Sequence, residues 1–175
     1  MNADLQALFE DIHWGPVSAH FERRTELPPD ALISNVTVVP FMGDRVVIIR
    51  LADGRYEVPG GTREPDEAYV DTARRELIEE AGARLLNYTP FGAWRCTSSA
   101  EKPYRPHLPH PHFYRVAGYG EVELVSQPTN PPDGEQVVAV EVLTVTEAAA
   151  VFVASGRPDL ADLVRLAAQL RGEQP

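Results

Sequence analysis

Hydrophobic and polar positions alternate over much of the chain and give way to helical spacing at its start, near its middle and at its end. Apolar residues recur every three or four positions between Leu5 and Ile12, which predicts a short amphipathic helix over residues 2–14. Gly43 and Asp44 separate two runs rich in β-branched residues, a pattern typical of a hairpin. The predicted strands cover residues 17–24, 31–42, 45–51, 55–58, 85–95, 112–125 and 137–145.

The most distinct helical pattern covers residues 65–81. Pro65 suits the first position of a helix, acidic residues fill the first turn and Gly82 is a typical terminator. One apolar stripe of this helix would pack on a sheet; it consists of Val70, Ala73, Leu77 and Ala81. Two more helices are predicted over residues 146–154 and 158–171. This order of strands and helices favours the α/β class, a sandwich around a mixed sheet.

The chain has 175 residues, with 16 Lys and Arg against 26 Asp and Glu, and a formal net charge of −10. This balance excludes a general nucleic-acid binder, because such proteins neutralise phosphates with clustered bases. Its one cysteine, Cys96, excludes an internal disulfide and a zinc site built from several cysteines. The longest apolar run, residues 148–154, is far shorter than the roughly 20 residues of a membrane span. We therefore predict a soluble, cytoplasmic protein without a membrane partner.

Three glutamates share one face of the helix over residues 65–81. Glu76, Glu79 and Glu80 lie within an arc of roughly 100°, apart from the apolar stripe. Like charges at this spacing destabilise a helix by a few tenths of a kcal/mol, and a divalent cation reverses that effect because carboxylate oxygens are the ligands it prefers. From spacing alone, either a solvated charged face or a metal site explains the cluster.

A 23-residue segment resembles the Nudix box, the signature of the Nudix hydrolases; it covers residues 61–83 and reads GTREPDEAYVDTARRELIEEAGA. The signature is Gly, five residues, Glu, seven residues, Arg-Glu, an aliphatic residue, any residue, Glu-Glu, any residue, Gly and an aliphatic residue. All seven fixed positions are present: Gly61, Glu67, Arg75, Glu76, Glu79, Glu80 and Gly82. Ala83 is smaller than the usual last residue. The resemblance implies the Nudix fold, an α/β/α sandwich around a mixed β-sheet, over residues 31–175, with an N-terminal helix and strand extension over residues 1–30.

The resemblance also implies a bound Mg²⁺ or Mn²⁺. Its ligands would be the carboxylates of Glu76, Glu79 and Glu80 and the backbone carbonyl of Gly61. Glu67 and Arg75 would pair and brace the loop of the box against the helix.

The implied reaction is the cleavage of a pyrophosphate bond in a nucleoside diphosphate derivative by attack of water on phosphorus. Glu79 or Glu76 could serve as the base, and Glu135, in the loop PPDGEQ, is a candidate outside the box. The substrate could be a nucleotide, a nucleotide sugar or a dinucleotide. The alternatives are a nucleotide-sensing module without turnover and an enzyme like isoprenoid diphosphate isomerase, which would need a suitably placed catalytic cysteine.

Residues 95–115 hold four basic residues and one acidic residue, a local charge of +3 in an acidic chain. Bases beside aromatic rings could hold diphosphate oxygens and stack a base. The candidate substrate-binding residues are Arg63, Arg95, Lys102, Tyr104 and Arg105. His107, His110 and His112 could belong to a plain surface loop, contact substrate or bind a metal. The N-terminal elements could exchange between two copies of the chain in a homodimer.

Overall fold

The computed structural model describes residues 3–173, and side chains from residue 5 onward; residues 1, 2, 174 and 175 of the predicted helix and domains lie outside this range. The strands are β1 (Ile12–Trp14), β2 (Val17–Arg23), β3 (Ile33–Met42), β4 (Arg45–Leu51), β5 (Tyr56–Glu57), β6 (Gly60–Thr62), β7 (Ala83–Leu85), β8 (Thr89–Ser98), β9 (His112–Leu124) and β10 (Val137–Thr144). The α-helices are α1 (Tyr69–Ala81), α2 (Val145–Ala154) and α3 (Pro158–Gly172), and short 3₁₀ helices cover Ala3–Phe9 and Asp30–Leu32.

The strands form one mixed sheet. Seven of them lie in the order β1-β2-β8-β9-β3-β4-β10, while β5, β6 and β7 pair with β4, β3 and β9 respectively. Strands β3 and β9 run parallel at the centre, and the remaining pairs are antiparallel. The predicted mixed sheet is therefore confirmed, with its parallel pair formed by strands far apart in the sequence.

Helices cover both faces of this sheet. Val36 and Val38 of β3 pack on the side of Leu77 in α1, while Val39 and Phe41 pack on the side of α2 and α3. This alternation follows from the two-residue period of a strand. The architecture is the predicted α/β/α sandwich, with α1 alone on one face.

The N-terminal segment differs from the prediction. The helix predicted over residues 2–14 is a 3₁₀ helix that ends at Phe9, followed by β1. Gly15, with a φ of 57°, turns β1 back onto β2, and the Trp14 ring packs edge-on against Trp94, with their centroids 6.2 Å apart. Pairing within the sheet thus overrides the local helical spacing. The buried Leu8 shows that the apolar stripe itself is used in the core.

Two other element boundaries were predicted wrongly. Helix α1 begins at Tyr69 rather than at Pro65, because Asp66 has a φ of 61° and residues 65–68 form a loop. The predicted strand over 85–95 is divided between β7 and β8. The division occurs where the side chain of Asn87 accepts a hydrogen bond from the backbone N–H of Glu121. Gly82 ends α1 as predicted, with a φ of 60°.

Strand β2 of the predicted N-terminal extension pairs with β8 from Val17 to Arg23, so the extension and the following residues share one sheet. The boundary near residue 30 and the exchange of these elements in a homodimer remain predictions. Within residues 3–173, none of the helices has both the length and the apolar character needed to cross a membrane.

Candidate active site

Arg75 connects the loop of the box to helix α1. Its guanidinium donates to both carboxylate oxygens of Glu67, at 2.9 and 3.1 Å, and to the backbone carbonyl of Thr62 at 2.9 Å. The remaining bonds run from Nη1 to Glu76 at 2.8 Å and to Glu79 at 3.1 Å. The structure thus brings the predicted Glu67–Arg75 pair together and adds two box glutamates to the same guanidinium.

The carboxylate of Glu67 is surrounded by donors. Besides Arg75, it accepts hydrogen bonds from the Thr72 hydroxyl at 2.8 Å and the Glu64 backbone N–H at 2.9 Å. Burial alone would raise the pKa of Glu67, but the bonds from Arg75, Glu64 and Thr72 outweigh it and lower the pKa to about 2. This carboxylate stays charged and fixes the loop that leads into α1.

Glu67→Gln should make the free energy of unfolding depend less on pH below about pH 5. Because the folded state lowers the pKa of Glu67 from 4.5 to about 2, its contribution is present above pH ~4.5 and is lost as the pH falls toward 2. Between pH 5 and pH 2, the variant should lose less free energy of unfolding than wild type, by at most about 3 kcal/mol. Urea unfolding at several pH values measures this. Parallel curves would contradict it, and Glu123→Gln, in an exposed ion pair with Arg84, should follow wild type.

Glu80 is a partly buried carboxylate whose charge has few partners. It accepts one hydrogen bond, from the Gly60 backbone N–H at 2.9 Å, and no Lys or Arg of the described residues pairs with it. Burial raises its pKa to about 8, and the neighbouring Glu76 adds to the rise. Glu76 is 8% exposed, and burial raises its pKa as well, against the effect of Arg75. Two acids thus lie close together in surroundings that disfavour their charge.

A divalent cation fits these residues. Hard cations prefer carboxylate and carbonyl oxygens, and a cation would offset the negative charge of Glu80 and Glu76. Gly61 lies against Glu76 so closely that a Cβ on it would be 2.1 Å from Oε1, which leaves the backbone beside the carboxylate uncovered. In the present conformation, no three acidic, imidazole or thiol groups within the described range are gathered closely enough to hold a metal. Because Arg75 donates hydrogen bonds to Glu76 and Glu79, a metal ion would compete with Arg75 for these two carboxylates.

A cavity of about 280 Å³ opens beside Glu80 and is here called the first cavity. Glu135 lies at it and forms an ion pair with Arg55, with 2.7 Å between Nη2 and Oε1. The structure thus places Glu135, the predicted acid outside the box, at the same cavity as Glu80. The other charged and aromatic side chains that line it are Trp14, Glu57, Trp94, Arg115 and Arg157.

The predicted substrate-binding residues lie in different places. All donors of Arg63 are directed to Asp30, Ile33 and Glu67, so this residue braces the loop of the box. Arg95 pairs with Glu22 and Arg105 pairs with Glu64, each at 2.7 Å. None of these three lines the first cavity.

Lys102 and Tyr104 line a second cavity, of about 510 Å³, between the N-terminal hairpin and the loop of residues 98–113. Tyr104 is 83% exposed. This cavity meets the first one at Trp14 and Arg115, which line both. Of the five residues predicted to bind substrate, these two are the ones that a ligand in the second cavity could touch.

The three histidines do not come together. His107 Nε2 lies 2.7 Å from the backbone carbonyl oxygen of Arg63, and His112 Nδ1 lies 3.2 Å from the Thr97 hydroxyl. His110 lines the second cavity. The described part of the chain therefore contains no histidine metal site of the kind considered from the spacing.

Cys96 is buried in the core, where its thiol lies 3.5 Å from the backbone carbonyl oxygen of Trp94. Burial raises the pKa of this thiol to about 11. A thiol in such surroundings stays protonated and is a poor nucleophile. The alternative of an isomerase with a catalytic cysteine is therefore not favoured.

The sequence reasoning assigned no role to Arg115, although it counted this residue among the bases of residues 95–115. Arg115 occupies the centre of the sheet on β9, and its Cζ lies 4.5 Å from the centroid of the Trp14 ring. The sequence pattern could have indicated this position, because Phe113, Arg115 and Ala117 lie two residues apart and therefore on one face of the strand. The strand is otherwise mostly apolar, so a base on it stands out.

A family model described as the NUDIX domain matches residues 32–166. A mutant of the Bacillus subtilis pyrophosphohydrolase BsRppH has a similar fold, with a TM-score of 0.55, 20% identity, and coverage of 73% of this chain and 72% of that one. A NUDIX hydrolase from Nitrosomonas europaea also reaches a TM-score of 0.55, with 19% identity and coverage of 81% and 91%. No curated protein matches.

Proposed function

Because this chain belongs to the Nudix family, we propose that it is a metal-dependent hydrolase that cleaves a pyrophosphate bond in a nucleoside diphosphate derivative by attack of water on phosphorus. The observation that carries the proposal is a pair of neighbouring carboxylates, the buried Glu76 and the partly buried Glu80, of which Glu80 lines a cavity that also holds arginines. The fold it shares with a pyrophosphohydrolase supports the same reading.

Different residues of the chain would bind the metal, orient the metal ligands and accept the proton. Glu76, Glu79, Glu80 and the carbonyl of Gly61 would hold Mg²⁺ or Mn²⁺. When bound, the metal would lower the pKa of the attacking water and offset charge on the phosphoryl oxygens. Arg75, fixed by Glu67 and Thr62, would keep the glutamates oriented. Glu135, which lines the first cavity, or one of the box glutamates Glu79 and Glu76 would accept the proton of the water.

The test is a panel of nucleoside triphosphates, nucleotide sugars and dinucleotides with Mg²⁺ or Mn²⁺. At least one compound should be cleaved, and EDTA should stop the reaction. In water enriched with ¹⁸O, the label should appear in a phosphate product, because water attacks phosphorus. A panel without any turnover, together with saturable binding of the same nucleotides, would favour the sensing module instead.

Divalent metal should stabilise the folded protein. For a site with a Kd of about 1 mM, 10 mM metal adds roughly 1.4 kcal/mol, which raises the Tm of a domain of this size by about 3–6 °C. A thermal melt with MgCl₂ or MnCl₂ measures the shift, against NaCl at equal ionic strength. Glu80→Gln should lose most of it. An equal shift in wild type and variant would mean that the ion acts elsewhere.

A further inference from the structure

Arg115 is a partly buried arginine whose Nε is buried without an acceptor. Its Nε has no hydrogen-bond partner among the described residues, and no carboxylate in that range forms an ion pair with its guanidinium. One face of the guanidinium lies over the Trp14 ring. A buried polar group normally has a partner, and an unpaired charge is costly. A ligand that accepts a hydrogen bond from Arg115 would satisfy this donor.

The other two arginines that line the first cavity each pair with two acids. Arg55 bonds to Asp53 and Glu135, each at 2.7 Å. Arg157 bonds to Glu57 at 2.7 Å and to Asp159 at 2.9 Å. The three acids that line the cavity are Glu57, Glu80 and Glu135, and none of them pairs with Arg115. Of the three arginines that line this cavity, Arg115 is therefore the one without a carboxylate partner among the described residues.

A second donor at the first cavity is also unpartnered. Trp94 is 4% exposed, lines this cavity, and its indole Nε1–H has no acceptor within the part of the chain that the structure describes. The Trp14 ring lies close to both residues. Its centroid is 6.2 Å from the ring centroid of Trp94 and 4.5 Å from Cζ of Arg115. Trp94 and Arg115 both line this cavity, and an oxyanion bound there would offer an acceptor to their unpartnered N–H groups.

We propose that Arg115 and Trp94 bind a phosphate of the substrate and that the nucleoside joined to this phosphate lies in the second cavity. The inference rests on the proposed function and assigns its substrate site. Arg115 lines both cavities, so a phosphate there faces Glu80 on one side. On the other side, the second cavity offers aromatic and polar side chains together, which fits a nucleobase better than an alkyl chain; they include Asn35, Tyr104, His110 and Phe113.

The N-terminal hairpin would then set the specificity of the site. Trp14, Pro16 and Val17 contribute to the wall of the second cavity and precede the residues that the family model matches, 32–166. The family's common core therefore does not build this wall by itself. Chains of the family with another N-terminal segment would offer a different surface to the nucleoside.

Tryptophan fluorescence can test the proposal, because Trp14 and Trp94 are the two tryptophans of the chain and both line the first cavity. The probes are AMP, GMP, CMP and UMP, which have no pyrophosphate bond to cleave, and their matched nucleosides, with Mg²⁺ present. At least one monophosphate should change the fluorescence saturably and bind tighter than its nucleoside. Arg115→Gln should weaken its binding tenfold to a hundredfold, while Arg115→Lys should lie between the two because it keeps the charge and loses the planar fork.

Arg171→Gln is the matched control. Arg171 also lies over an aromatic ring, 4.8 Å from the Phe41 centroid, but pairs with Glu121 and lines neither cavity. It should bind the probe as wild type does. Trp94→Phe, which keeps an aromatic side chain and removes the N–H donor, should weaken binding on its own and serves if Arg115→Gln does not fold.

Two results of the binding assay would overturn the proposal. One is wild type that responds to none of the monophosphates up to about 10 mM; the other is a folded Arg115→Gln that binds as tightly as wild type. Failure of the proposed function can be distinguished from failure of the phosphate site. If monophosphates bind through Arg115 but no compound of the panel is cleaved, the phosphate site stands and the hydrolase does not. If cleavage occurs and Arg115→Gln leaves KM unchanged, the hydrolase stands and the phosphate site does not.

Discussion

Glu80→Gln is expected to lower the rate of hydrolysis at least about a thousandfold, equivalent to roughly 4 kcal/mol in the barrier. Glutamine has the shape of glutamate and can still accept the hydrogen bond from Gly60. It lacks the negative charge that a hard cation requires from its ligands. Because the charged form of Glu80 is already disfavoured by burial, the variant should fold at least as stably as wild type. The loss would therefore concern the reaction and leave the fold intact.

Initial rates on the best compound of the panel, with saturating Mg²⁺ or Mn²⁺, measure this loss. Asp71→Asn is the matched control, because Asp71 belongs to the same helix but pairs at the surface with Arg74. It should retain wild-type rates. A folded Glu80→Gln with more than a tenth of wild-type activity would remove this carboxylate from the proposed metal site.

Gly82→Ala is expected to cost about 3–5 kcal/mol of the free energy of unfolding. Gly82 has a φ of 60°, where an L-residue is strained by about 1–2 kcal/mol. A Cβ there would lie 2.1 Å from the backbone oxygen of Ser126, so the backbone must shift. The shift would disturb the Gly82 carbonyl, which accepts the backbone N–H groups of Val125 and Ser126. These bonds tie the end of α1 to the segment after β9.

Gly156→Ala separates strain from crowding. Gly156 has a φ of 78°, and a Cβ on it would meet nothing within 4 Å. Gly156→Ala should therefore lower the free energy of unfolding only by the strain of the positive φ, about 1–2 kcal/mol. Urea unfolding of both variants gives the comparison. Equal losses would show that Ser126 moves aside freely and that the contact does not fix the end of α1.

The box could be recognised from the sequence because its chemistry is local. Seven fixed positions within 61–83 lie on one loop and one helix, and their spacing alone places Glu76, Glu79 and Glu80 on one face. The pairing of Glu67 with Arg75 was implied by the resemblance to the Nudix box. The further bonds from Arg75 to Glu76 and Glu79 were not predictable, because they depend on which rotamer a long side chain adopts in a folded site.

The cavities could not be predicted, because distant segments build them. Trp14 reaches Arg115 only because β2 pairs with β8 and β8 with β9, and nothing in the local pattern of residues 2–14 reports that pairing. The charge of the stretch 95–115 was read correctly as a total, yet its members point to different places. Arg95 and Arg105 are held by glutamates, whereas Arg115 is not.

The parallel pairing of β3 with β9 has a consequence for how the chain acquires its structure during synthesis. Thr37 lies opposite Ala117, about 80 positions later, and contacts of such separation make folding slow. Helix α1, with its glutamates, leaves the ribosome before β9, which carries Arg115. The box can thus form its helix early, but the site is assembled only when β9 enters between β8 and β3.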